Sequence, residues 1–206
     1  MKILIDNRDF MFLTTQLKVE NKNQQNLFEG NKKTLGYKLK KAINNEKDRL
    51  HKISSSFYDK YQDKLDMSFG CFLKMLKDNN NPDYLFFLNK HGDLSYCDFM
   101  LENFKNDKGL YCFIINDEIK YIGRSKKTFK ERINEYGKIT PYNCLIDGQA
   151  TNCKINSKIN SLNNSLIFIG FYLMNTSTDI EISDLEKKMI KSLNDEGYDL
   201  WNTQIN

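Results

Sequence analysis

The sequence predicts an α+β fold in two parts: a mainly helical region over 1–107, and a small three-stranded, largely antiparallel sheet flanked by helices over 108–206. Three observations predict it. Apolar residues in the first half recur at close to helical spacing. At Gly109 the pattern switches to short runs rich in aromatic and β-branched residues. Turn residues separate those runs and helical patterns follow them, the layout of a sheet covered by helices.

Leu35, Leu39, Ile43, Leu50, Ile53, Phe57, Tyr61 and Leu65 follow Thr34 at helical period. Ser68 to Lys77 fits a second helix, ended by the Asn79-Asn80-Asn81-Pro82 breaker. Tyr84 to Leu88 fits a short strand or a helical turn. Asp93, as an N-cap, predicts another helix reaching about Phe104. Leu110 to Ile115 then reads as a strand, Asn116-Asp117 as a turn, and Ile119 to Gly123 as the returning strand of a hairpin. Thr128 to Glu135 fits a short basic helix. Tyr136 to Asn156 is polar and turn-rich and predicts a long loop, with a short helix after Asn152. Leu166 to Leu173 is a third strand. Ser183 to Leu193 predicts a last helix, with Ser183 and Glu186 spaced as a capping box.

Composition narrows the function classes. With 206 residues, 40% hydrophobic and 28% charged, the chain has the balance of a globular protein rather than a disordered one. No apolar run reaches the ~18 residues of a membrane helix. The Met1 to Asp6 segment is too short and too early in charge for a secretory signal, so a cytoplasmic protein is expected. Five cysteines without a CxxC pair argue against a structural zinc site and for reduced, buried thiols. His51 and His91 form no metal-ligand spacing with one another.

Charge is distributed unevenly. Lys120 to Lys138 holds seven Lys or Arg against two Glu, whereas Asp179 to Asp199 holds seven acids against three Lys. The first stretch suits phosphates, and the second can supply a metal ligand. Tyr111 and Tyr121 sit on the two strands of the hairpin. Arg132 and Tyr136, four apart on a helix, share a face. Glu186, expected in the first turn of its helix, can hold a hard cation such as Mg²⁺ through oxygen and water. Arg124, Lys126, Lys127, Lys130 and Lys138 are candidate phosphate contacts. Gln149, Asn152, Lys154 and Asn156 offer paired donors and acceptors for base edges.

Gly109-Leu110-Tyr111 followed by Tyr121-Ile122-Gly123-Arg124-Ser125 resembles the paired motif of the GIY-YIG nuclease superfamily. Arg132, Tyr136, Glu186 and Asn202 resemble, in order, its helix-borne arginine, the His or Tyr one turn later, its metal-binding glutamate and its C-terminal asparagine. The resemblance covers about residues 108–206. The stretch Tyr136 to Asn156 resembles an insertion in the type II restriction enzyme branch.

The resemblance implies a Mg²⁺-dependent endonuclease acting on double-stranded DNA, with Mn²⁺ able to substitute. Tyr111 is then the general base, with Tyr136 the competing candidate. Tyr121 orients water or phosphate, Arg132 neutralises the scissile phosphate, and Asn202 braces the site. A phenol has an ordinary pKa near 10, so a tyrosine base needs its pKa lowered by about three units. Arg132, the metal and the basic residues 124 and 126 are the expected source of that lowering. A homodimer is implied for cutting both strands. A homing nuclease, a structure-specific repair nuclease of the same superfamily, and a non-catalytic DNA-binding module on this fold are the alternatives.

Overall fold

A computed structural model describes residues 1–5, 8–163 and 165–202. Asp6 and the last four residues of the expected second region lie outside the described residues. The protein is α+β, as expected, but it opens with strands rather than helices. These are β1 (Lys2–Ile5), β2 (Arg8–Met11), β3 (Leu13–Gln16) and β4 (Val19–Gln24). Then come α1 (Leu35–Ile43), α2 (His51–Lys60), α3 (Phe69–Asp78) and β5 (Tyr96–Phe99). The second half runs β6 (Gly109–Ile115), β7 (Glu118–Ser125), α4 (Phe129–Gly137), α5 (Ala150–Asn160), β8 (Ile167–Leu173) and α6 (Asp179–Asp195). No helix among the described residues is long and apolar enough to cross a membrane.

Several expectations are corrected. The region 1–107 is not mainly helical. Within it, β1 carries an alternation that buries Ile3 and Ile5, while β2 to β4 are mostly exposed and polar and carry no such signal. Ladders to other strands hold these short segments, so their own pattern is uninformative. Of the two alternatives for Tyr84 to Leu88, the helical turn is the one present, within a 3₁₀ helix over Pro82–Phe87. No helix starts at Asp93. Its carboxylate instead accepts from Lys77 and Tyr84, and β5 follows. The helix expected after Asn152 is α5, which starts earlier, at Ala150, and runs to Asn160. The cap of α6 is Thr178 with Glu181, five residues before the expected box, because Ile182 belongs to the helix's buried face.

The chain forms two compact units that do not follow the 1–107 and 108–206 division. One comprises 1–20, 99–138 and 161–206; the other comprises 21–98 and 139–160. The second unit gathers α1, α2, α3 and α5 around a core including Phe28, Leu35, Phe72, Phe87, Tyr96 and Cys153. Thr34 and Ser68 cap α1 and α3 by accepting from Tyr37 and Cys71 amides.

The first unit is built on a four-stranded, wholly antiparallel sheet of order β3-β8-β6-β7, one strand more than expected. β6 is central and every residue of it is buried. Asn116 and Asp117 both adopt left-handed backbone (φ 48° and 67°) and close the β6–β7 hairpin without a glycine. One face of the sheet presents Leu110, Cys112, Ile114 and Ile122 to a core shared with Ile182, Met189, Ile190 and Leu193 of α6. The other face presents Tyr111, Phe113 and Tyr121, whose rings meet Tyr136 of α4.

Candidate active site

Strand register builds the site. Tyr111 pairs with Gly123, and Phe113 with Tyr121. All four therefore share one face, and the two tyrosines are diagonal neighbours with ring centroids 6.3 Å apart. Gly123 is the floor under Tyr111: a Cβ there would lie 2.4 Å from the phenol ring and its oxygen. At Gly109 the backbone has φ +140° and passes so close to Tyr172 that a Cβ would stand 2.3 Å from its carbonyl oxygen.

Helix α4 supplies the other half. Thr128 and Glu131 form a reciprocal capping box at its start. Arg132 and Tyr136 lie one turn apart, as expected, and the guanidinium sits 4.1 Å from the Tyr136 ring centroid. Arg132 Nε donates to Tyr111 Oη at 3.3 Å, and Nη2 donates to Tyr136 Oη at 2.5 Å. The Tyr136 hydroxyl is also 2.8 Å from that of Tyr111 and 3.2 Å from that of Tyr121. Four predicted residues thus form one hydrogen-bonded cluster. Tyr111 and Tyr136 are buried in it, whereas Tyr121 reaches the surface slightly and Arg132 keeps 23% of its side chain exposed.

In the metal-free chain the electrostatics run against a tyrosinate. Burial lifts the Tyr111 phenol well above the ordinary tyrosine range, the Tyr121 phenol adds to the rise, and Arg132 offsets only part of it. Tyr136 is raised by burial, then by Tyr111 and Tyr121, again with Arg132 opposing. Tyr121 is raised by burial too. The expected helpers point elsewhere: Arg124 pairs with Glu186 at 2.7 Å, and Lys126 with Asp179 at 3.4 Å. Desolvation of the anion outweighs one nearby guanidinium, so without a metal the protein's own groups favour the neutral form of all three phenols.

This has a consequence for stability. A phenol whose folded pKa lies above its unfolded value contributes stability that is full below about pH 10 and is lost as pH climbs from there through the folded pKa. Tyr96 in the other unit is shifted the same way. The melting temperature is expected to hold to about pH 9 and fall above pH 10. Tyr136→Phe should lessen the fall. A melting temperature flat to pH 11 would contradict the shifts.

Glu186 lies two turns inside α6, not in its first turn, so the helix N-terminus does not hold it. Burial pushes its carboxyl up, and Arg124 pulls it part of the way back. Its electrostatic influence reaches Tyr121, and that of Arg132 reaches Glu186. Arg124 also donates to Ser183 Oγ. Among the described residues no group of three His, Cys, Asp or Glu stands together. This donor set fits a hard cation held by one carboxylate plus water and phosphate oxygens, and does not fit an all-protein cage.

Asn202 has a different part. Its amide accepts from Ile122 N–H at 3.0 Å and donates to Ile122 C=O at 2.8 Å, while Trp201 N–H donates to Lys120 C=O. Two C-terminal residues therefore cover the open edge of β7 as a neighbouring strand would.

The predicted nucleic-acid contacts divide. Arg124, Lys126, Lys127, Lys130 and Lys138 belong to the first unit, with Lys126, Lys127 and Lys138 exposed. Gln149, Asn152, Lys154 and Asn156 belong to the second. Of these Gln149 is exposed, but Asn152 and Asn156 are buried. Asn156 brackets Cys97, accepting from its N–H and donating to its C=O, and Asn152 donates to Gln149. Both asparagines are structural, because amides engaged inside the fold cannot reach base edges. Cys97, Cys112, Cys144 and Cys153 are buried free thiols and Cys71 is exposed.

One group at the site escaped sequence reading. Glu135 Oε2 accepts from Arg132 Nη1 at 2.8 Å, and Oε1 lies 3.5 Å from Lys127 Nζ. Its only signal was its position, three residues after Arg132.

No family model, no curated protein and no solved structure matches this chain.

Proposed function

We propose that the chain is a Mg²⁺-dependent DNA endonuclease of GIY-YIG type, closest in character to type II restriction enzymes. The observation that carries this reading is the Tyr111–Tyr121–Tyr136–Arg132 cluster. Packing alone would be served by phenylalanine. A buried hydroxyl costs about 1–3 kcal/mol unless hydrogen-bonded, and a buried guanidinium costs more. An interior that collects three phenols and a cation around one point is organised for an anion. The ordered resemblance of Gly109-Leu110-Tyr111, Tyr121-Ile122-Gly123, Arg132, Glu186 and Asn202 to the superfamily supports the same reading.

In this reading Arg132 binds a phosphoryl oxygen with the part of its guanidinium that faces solvent. Tyr111 and Tyr136 fix its plane from behind. Tyr121, the most accessible phenol of the three, donates to phosphate or to a water. Glu186 holds the cation, which when bound withdraws charge from the phosphate and the leaving oxygen. Asn202 keeps β7, and with it Tyr121, in register. Lys126, Lys127, Lys130 and Lys138 supply contacts to the DNA backbone whose strength falls with salt. One such site per chain cuts one strand, so a homodimer cuts a duplex.

The test is digestion of mixed duplex DNA with Mg²⁺ or Mn²⁺, followed by sequencing of the fragment ends. Discrete ends sharing one short sequence are expected. Glu186→Gln should reduce cutting about a hundredfold or more, the worth of several kcal/mol of charge stabilisation. Cutting only at junctions would replace the restriction reading with a repair nuclease, and cutting at one rare long site with a homing enzyme. Retarded mobility without product in every divalent metal would leave a DNA-binding module. Full activity in Glu186→Gln would remove Glu186 from the site.

A further inference from the structure

Glu135 stands where an anion would stand. Its two carboxylate oxygens are divided between two cations: Oε2 on Arg132 at 2.8 Å and Oε1 on Lys127 at 3.5 Å. A phosphate presents two non-bridging oxygens with much the same spacing, and an arginine fork takes either group. The Glu135 carboxylate is one-third exposed, and Lys127 is 71% exposed. An i,i+3 pair of this exposure contributes little to folding. Tyr111, Tyr136 and Glu135 differ in kind as partners of Arg132. The phenols of Tyr111 and Tyr136 are buried and neutral, and they hold the guanidinium from within. Glu135 is charged, at the rim, and cheap to displace.

We propose that Glu135 is a built-in competitor for the anion site, an intramolecular carboxylate that occupies Arg132 and Lys127 until a substrate phosphate displaces it. The inference rests on the reading of Arg132 as the phosphate-binding cation. Small anions, with a single charged contact to offer, compete poorly against a tethered carboxylate. A DNA backbone that also engages the neighbouring lysines does not. Glu135 therefore raises selectivity for a polyanion over free phosphate while lowering affinity for both. Its displacement leaves the carboxylate beside the phosphate that replaced it, so removal of its charge favours the bound state.

The experiment measures binding of inorganic phosphate and of a short DNA duplex to the full chain, without divalent metal so that no cutting occurs. Glu135→Gln keeps an oxygen to accept from Arg132 but removes the charge, and is expected to bind both ligands about three- to tenfold more tightly. The relative gain should be larger for phosphate than for the duplex. Glu135→Ala should move the same way, and the gain should vanish in the Arg132→Ala background. Unchanged or weaker phosphate binding in folded Glu135→Gln and Glu135→Ala would overturn the proposal. So would a large drop in melting temperature for both variants, which would make Glu135 a strut for Arg132. Tighter, Arg132-dependent phosphate binding in a chain that cuts no DNA would keep the competitor and refute the nuclease. Cutting with no gain on removing Glu135 would do the reverse.

Discussion

Arg132→Ala should lower the proposed DNA cleavage by about 10²–10³-fold, the usual loss when one donor to a developing charge is removed. It should also cost about 1–3 kcal/mol of stability, because two buried phenol oxygens lose a charged donor. Both effects come from one side chain, since Arg132 faces inward through Nε and Nη2 and outward through Nη1. Arg132→Lys separates them. An ammonium restores a positive charge but cannot reach Tyr111 and Tyr136 together with a planar fork. Lysine should therefore rescue only a small part of the activity. Cleavage within threefold of wild type in Arg132→Ala would show that the cluster is packing and nothing more.

Gly123→Ala is expected to destabilise the protein by about 1–3 kcal/mol, the cost of overpacking a filled core. The added Cβ would sit 2.4 Å from the Tyr111 ring, and the ring cannot retreat because Tyr136, Phe113 and Arg132 surround it. Displacing Tyr111 also disturbs the Nε bond that orients Arg132, so activity should fall along with stability. Denaturant titration reads the first effect and fragment yield the second. Combining Gly123→Ala with Tyr111→Leu, which removes the ring, should recover stability but not activity. A double variant no more stable than Gly123→Ala alone would mean that the clash with Tyr111 is not the source of the loss.

Much of the site was legible along the chain. The sequence marks Tyr111, Tyr121, Arg132 and Tyr136 as a set, and register and hydrogen bonding bring them together. Their elements are the ones with strong local signals: the apolar, β-branched runs of β6 and β8, the Asn116-Asp117 turn, and the capped helix α4. The state of the phenols was not legible. A sequence shows which charges are near in number but not how much water is removed, and here burial dominates the nearby guanidinium. The turn of α6 that carries Glu186 is not legible, because two Ser/Thr-x-x-Glu spacings lie in tandem at Thr178 and Ser183 and only the first caps the helix. Asn152 and Asn156 look like surface polar residues in any one-dimensional reading. Only the return of α5 to Cys97, 59 positions away for Asn156, turns them inward.

Local pattern in this chain was enough to specify the β6–β7 hairpin, β8, α3, α4 and the α+β class, because hydrophobic period and turn chemistry act over a few residues. Partners at long range chose the remainder. β3 joins the sheet through β8, more than 150 positions on, and Asn202 closes the β7 edge 80 positions from Ile122. Arg124 meets Glu186 62 positions on, a pairing that exists only once β7 and α6 pack together. Backbone ladders, desolvation and ion pairing at such separations depend on where the chain returns, and that is a property of the packed fold.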